Sequence, residues 1–268
     1  METRECFCYT ETRKKAQIAL RQDNKTVEKR RRGRKMKIKC IWEHNGNDSL
    51  LYAENCVGAF TRGASVEQAL RKMPGEIQSY FEWMGEEIPE VIEPVIVQEK
   101  NSDLEIKDAD SDVLFETEAQ PLTMEEYKKL KQLALRSAAD FLALYESIPD
   151  KTVSALPVRK TFYGSIPRTA EEMYLHTKNV NQYYFGEIGI DVDNEGTILE
   201  CRKRGFELLE KTPDFLDGLL CQGSYDEMWS VRKVLRRFVW HDRIHAKAMW
   251  RMGKKTFEEG IRDVFGFE

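Results

Sequence analysis

Histidine, cysteine and proline are all scarce in this sequence, with only four, six and eight among 268 residues. The cysteines, Cys6, Cys8, Cys40, Cys56, Cys201 and Cys221, are scattered along the chain, which excludes a dense disulfide framework and reads as reduced thiols. Cys6 and Cys8 lack the second pair that a structural zinc site needs. No stretch approaches the ~18 consecutive apolar residues of a membrane span, and residues 1–39 lack the apolar centre of a secretory signal, so the expected compartment is the cytoplasm. Gly-x-Gly-x-x-Gly, Gly-Lys-Ser/Thr and Gly-x-Ser-x-Gly are all missing, which withholds support from dinucleotide, phosphate-loop and serine-hydrolase readings.

What is abundant is charge, at 33% of residues with a net of only -4. The balance conceals an asymmetry: residues 1–39 hold 14 Lys and Arg against 5 Asp and Glu, leaving 28 against 41 in the remainder. The expectation is a basic, disordered tail over 1–35, ending in Lys29-Arg30-Arg31-Arg32-Gly33-Arg34-Lys35, attached to an acidic body. The tail reads as a solvated extension, with a localisation or nucleic-acid patch as the alternative. No aromatic residue interleaves the basic run, and the acidic body argues against nucleic-acid binding.

From Met36 the pattern is strand, strand, helix, strand. Ile38, Cys40 and Trp42 alternate with polar neighbours, Asn45-Gly46-Asn47-Asp48 marks a turn, and 49–60 reads as the second strand of a hairpin. Val66, Ala69, Leu70, Met73, Ile77, Tyr80, Phe81 and Met84 recur at helical steps up to Gly85, with Pro74 expected to kink the helix. Residues 91–97 return as a third strand. The predicted domain is 36–97, followed by an acidic linker over 98–121 with at most a short docked strand near Val113-Leu114-Phe115.

Four helical patterns follow, over 123–147, 169–185, 197–209 and 224–252. Each opens on a hydroxyl residue with Glu three positions later: Thr123/Glu126, Thr169/Glu172, Thr197/Glu200 and Ser224/Glu227; Ser65/Gln68 repeats the device earlier. In this capping box the two side chains satisfy amides that have no partner within the helix. The expected fold class is therefore an α+β domain (β-β-α-β) followed by an all-α four-helix bundle over 122–268.

His241 and His245 lie four residues apart on the last helix, within the stripe Val231, Val234, Phe238, Met249 and Met252, so both imidazoles are expected to face inward. His176 lies on the second helix of the bundle, in step with Met173, Val180 and Tyr183. Three such histidines suit a divalent transition metal, with coordination positions left open for water or a substrate. Hydrogen-bonded core histidines are the alternative.

The residues Glu171-Glu172-Met173-Tyr174-Leu175-His176 and Phe238-Val239-Trp240-His241-Asp242-Arg243-Ile244-His245 resemble the DinB-like superfamily of four-helix bundles. The resemblance covers about 123–256 and fills all three of that family's ligand positions. It implies a divalent metal at His176, His241 and His245, commonly nickel or zinc; three imidazoles by themselves also suit iron or copper. It further implies metal-dependent chemistry on a small molecule, of the thiol S-transferase or hydrolase type, with a low-molecular-weight thiol as substrate. Residues 52–60, Tyr-Ala-Glu-Asn-Cys-Val-Gly-Ala-Phe, and 63–70, Gly-Ala-Ser-Val-Glu-Gln-Ala-Leu, resemble the N-terminal domain of HicB-type antitoxins. That likeness implies a protein partner, and so a competing role as a non-catalytic interaction or regulatory protein; the expected assembly is compatible with a homodimer.

Other candidates have a functional and an ordinary reading. Glu172 is a fourth ligand or general base, or else a helix cap, and the cap is favoured because a carboxylate folded back on its helix start cannot also reach inward. Asp242 projects about 100° away from His241 around the helix. Arg159 and Arg168 could bind an anion or be solvated loop residues, and His44 beside the hairpin turn receives no role.

Overall fold

The computed structural model describes residues 35–161 and 164–268. The basic tail over 1–34, with Cys6 and Cys8, lies outside the described residues. The described residues divide into a small unit, Lys35 and Met36 with Pro89–Glu93, and a large one, Lys37–Ile88 with Pro94–Glu268. In the small unit Lys35 pairs with Glu93 at 2.8 Å. The large unit holds the helices and the sheet, apart from Lys35 and Met36 of the first strand and residues 91–93 of the fourth.

Its sheet has the order β3-β2-β1-β4, from β1 (Lys35–Asn45), β2 (Asp48–Ala53), β3 (Phe60–Gly63) and β4 (Val91–Asn101). β1 and β2 form an antiparallel hairpin whose last pair, Asn45 and Asp48, leaves a two-residue turn with Gly46 at φ +56°. The run expected as one strand over 49–60 is two strands. Residues 54–59 turn the chain, and Gly58 adopts φ +94° where a Cβ would lie 2.4 Å from Val239 Cγ1, so glycine is required by backbone angle and by space. Helix α1 (Val66–Met84) then crosses from edge strand β3 to the opposite edge, β4. Ser65 caps it, Gly85 ends it in the left-handed region, and it runs on through Pro74.

β4 continues past its expected end at Val97 to Asn101, where the Ser102 amide donates to the His44 carbonyl. The acidic stretch after it contributes to the core. Ile106, Val113 and Phe115 are buried with Ile41, Leu50, Tyr52 and Phe60 of the sheet and with Trp240 from the last helix.

The C-terminal helices are α2 (Met124–Ser147), α3 (Ala170–Gly186), α4 (Ile198–Leu209) and α5 (Val231–Phe257). The capping boxes of Thr123, Thr169 and Thr197 all form. α2 and α3 each pack against both α4 and α5. α4 approaches α3 closely at Gly205, where a Cβ would meet the Phe185 ring at 2.1 Å.

The last helix starts later than Ser224 suggests. Ser224–Asp226 is a single 3-10 turn, with Tyr225 and Asp226 at φ 60° and 58°, and the true cap is Ser230, which accepts from the Lys233 amide. The turn lies in a small hairpin, β7 (Cys221–Gln222) with β8 (Met228–Trp229), and Glu227 serves as an ion partner for α5. A second small hairpin, β5 (Lys160–Thr161) with β6 (Gly164–Ser165), precedes α3, so the region expected to be all helical also carries short strands. Among the described residues, no helix is long and apolar enough to cross a membrane.

Candidate metal centre

α3 and α5 bring His176, His241 and His245 together. The ring centroids lie 5.1 Å (176–241), 4.6 Å (176–245) and 4.4 Å (241–245) apart. One ligand nitrogen from each falls within 4.8 Å of the others. Imidazole nitrogens bind a transition ion at ~2.0–2.1 Å, so two ligands of a tetrahedral ion stand about 3.4 Å apart, and small ring rotations close the group around one ion.

The group is less deeply set than the helical phase suggests. His241 is 7% exposed and His245 is partly buried, but His176 is exposed. Its stripe neighbours grade outward, from buried Met173 through half-buried Val180 to Tyr183 at 37% exposure. His241 is therefore the most deeply set of the three rings and His176 the most exposed.

Burial keeps the rings neutral. Desolvation lowers the His176 pKa. It pulls His245 down to about 3, with help from His176 and the Arg62 charge, and holds His241 well below its ordinary value, with help from the other two histidines, Arg237 and Arg202. Neutral imidazole has the lone pair that a metal needs. His241 Nδ1 is buried with no hydrogen-bond partner, which departs from the rule that buried polar atoms are paired and opposes the reading of a satisfied core histidine. No Asp or Glu belongs to the group.

The other sequence candidates have different work. Glu172 Oε2 accepts from the amides of Arg168 (2.7 Å) and Thr169 (3.0 Å), which lower its pKa and fix it as a cap. Asp242 is buried on the far side of α5, where it accepts from Ser137 and from Arg202. Arg168 Nη1 donates to the Leu156 carbonyl, and Arg159 is exposed. His44 stacks on Trp42 at 4.2 Å and meets Glu99 at 3.1 Å, and it does not belong to the histidine group.

Sequence reading missed the cationic surroundings. Arg237 lies one turn before His241, enclosed by Trp229, Tyr184 and Trp240 with ring centroids 5.1–5.7 Å from its guanidinium carbon, and it donates to Glu227. Its i, i+4 spacing from His241 was the available signal, obscured by the habit of placing arginine in solvent. Arg62 lies on β3, distant in sequence, and nothing in the primary structure announces it.

Comparison of the chain with models of protein families, with curated proteins and with solved structures finds no match in any of the three.

Proposed function

We propose that the protein binds one divalent transition ion through His176, His241 and His245, in a DinB-like four-helix bundle formed by α2 to α5, and uses it in chemistry on a small molecule. The observation that carries this reading is the convergence of three neutral imidazoles within reach of one ion, with a buried ring nitrogen on His241 that has no protein partner. Three neutral nitrogen donors suit nickel or zinc, and accommodate iron or copper. Bound there, the ion supplies Lewis acidity, which lowers the pKa of a water or thiol nucleophile toward neutrality. The protein's share is to fix the rings from two helices, exclude solvent beneath His241 and leave the His176 side open. This suits transfer to a low-molecular-weight thiol, or hydrolysis.

Calorimetric titration of chelator-treated protein with zinc and with nickel tests the proposal. The expected result is one ion per chain, lost in His245→Ala with the fold intact by circular dichroism. Equal binding by the variant, or no binding by the parent, contradicts it.

A second reading draws on edge strand β4, which exposes Val95 and Val97 and has no strand on its outer side among the described residues, as expected of a HicB-like module that adds a partner's strand. It describes a non-catalytic interaction protein with the helices as scaffold. Absence of metal binding would favour it.

A further inference from the structure

A cavity of about 230 Å³ lies within the large unit, where the end of β2, the acidic stretch after β4, α2 and α5 meet. Its wall is mostly apolar, built from Ala53, Val57, the Phe115 ring and Leu130 of α2. One side is cationic: Arg232 and Arg236 also line it, four residues apart and so on one face of α5. An apolar wall with a few charged groups is the composition of a small-ligand site, and the volume stands at the lower end of such sites.

Both arginines are short of acceptors. Arg236 is only 5% exposed; its Nε and Nη2 donate to Glu118, and Nη2 also donates to the Val113 carbonyl at 3.0 Å. Its Nη1 is buried with no hydrogen-bond partner. Arg232 Nη2 donates to the Pro121 carbonyl at 3.0 Å, while its Nε is likewise buried without a partner. Two buried cationic donors left unpaired beside one cavity depart from the rule that such groups are satisfied. The charges point the same way. Of the acids lining the cavity, Glu118 is taken by Arg236, and Glu54 accepts from the Thr117 hydroxyl and meets Lys39 at 3.5 Å. Arg232 reaches only Glu126, at 3.6 Å, whose Oε2 is engaged in capping α2 at Thr123. A loosely compensated guanidinium thus stands beside apolar surface.

We propose that this cavity binds a small organic anion with an apolar body, whose carboxylate accepts from Arg236 Nη1 and Arg232 Nε while its chain lies against Val57, Phe115 and Leu130. The proposal is independent of the metal reading, since no histidine takes part. Its ligand touches the end of β2, the acidic stretch and two helices at once, so binding also ties these segments together.

Calorimetric titration of the full chain with hexanoate, acetate and 1-hexanol provides the test. Hexanoate is expected to bind at one site per chain, and acetate, which lacks four of its methylenes, more than about tenfold more weakly. Arg232, whose side chain is 19% exposed, can be replaced without burying an unpaired acid. Arg232→Gln should weaken hexanoate about tenfold and 1-hexanol less than about twofold. Leu130→Trp, which fills the cavity from α2 and leaves both arginines in place, should abolish hexanoate binding. Circular dichroism and melting temperature should match the parent in both variants. Repeating the titration with the neutral chelator 1,10-phenanthroline present should change nothing, because the carboxylate is held by arginine and not by an ion. Absence of saturable hexanoate binding by the parent, equal losses of hexanoate and 1-hexanol in Arg232→Gln, undiminished binding in Leu130→Trp, or loss of binding on chelation overturns the proposal.

Discussion

His241 and Glu43 show how differently burial acts on two kinds of side chain. At His241 it removes the proton and leaves a lone pair without a partner; at Glu43 it favours keeping the proton. Glu43 is fully buried, accepts from Ser111 Oγ at 2.5 Å and from the Asp112 amide at 3.2 Å, and desolvation pushes its pKa up from 4.5 to about 7. A raised carboxyl pKa means that the folded state holds the proton more tightly than the unfolded state. Stability contributed by Glu43 is therefore complete below about pH 4.5 and declines as pH rises through about 7, by at most about 1.4 kcal/mol per pH unit. Between pH 5 and 7 this decline opposes the gain from the three low-pKa histidines, so in urea denaturation Glu43→Gln should make the slope of stability against pH more positive than in the parent; an unchanged slope in the variant would place the proton elsewhere. Gly58 makes a steric prediction at the same scale. Gly58→Ala must hold a side chain at φ +94° against Val239 and should lose about 1–3 kcal/mol in the same assay, whereas Gly75→Ala, where nothing lies within 4 Å, should cost little.

At the scale of elements, the C-terminal helices meet in a polar layer drawn from all four. Ser137 of α2 and Arg202 of α4 both donate to Asp242 of α5, and Arg202 Nε donates to Asn181 Oδ1 of α3 at 3.0 Å. Every member is fully or almost fully buried. Removing one charge would strand the other, so Asp242→Ala is expected to cost about 3–5 kcal/mol. The double variant Arg202→Met/Asp242→Leu should lose less than the sum of its single changes, because no unpaired ion remains. Additive losses in thermal melts would deny the coupling. Little of this layer was legible. The starts of α2, α3 and α4 could be read because a capping box is local, its two partners three residues apart. Arg202–Asp242 and Arg243–Glu76 join residues 40 and 167 positions apart, and no local pattern encodes them. The false start at Ser224 shows the limit of local signals, since the same motif there forms a hairpin turn and releases Glu227 to pair with Lys233 and Arg237.

For the large unit as a whole, the sequence suggests a sheet domain, a linker and a helical domain, but α5 packs on all three segments. Its Trp240 joins Tyr52 and Phe60, Arg236 binds Glu118, and Arg243 and Lys247 bind Glu76 of α1. Lys233, Arg236, Arg237 and Arg243 are all buried on α5, so this helix is a cationic centre for an acidic body. The histidine spacing was legible because His-x-x-x-His shares a helix face; the exposure of His176 and the cations around the group depend on which helix covers which. A fragment of residues 122–268 is accordingly expected to lack a cooperative melt, having lost the partners of Trp240, Arg236 and Arg243. A sharp transition in that fragment would restore a separable helical domain.

X-ray absorption on stoichiometrically loaded protein tests the metal centre most directly, because it counts the imidazoles around the ion. The arrangement of His176, His241 and His245 predicts three imidazole nitrogens at ~2.0–2.1 Å, reduced to two in His176→Ala. A first shell without imidazole, or one unchanged in that variant, would contradict it.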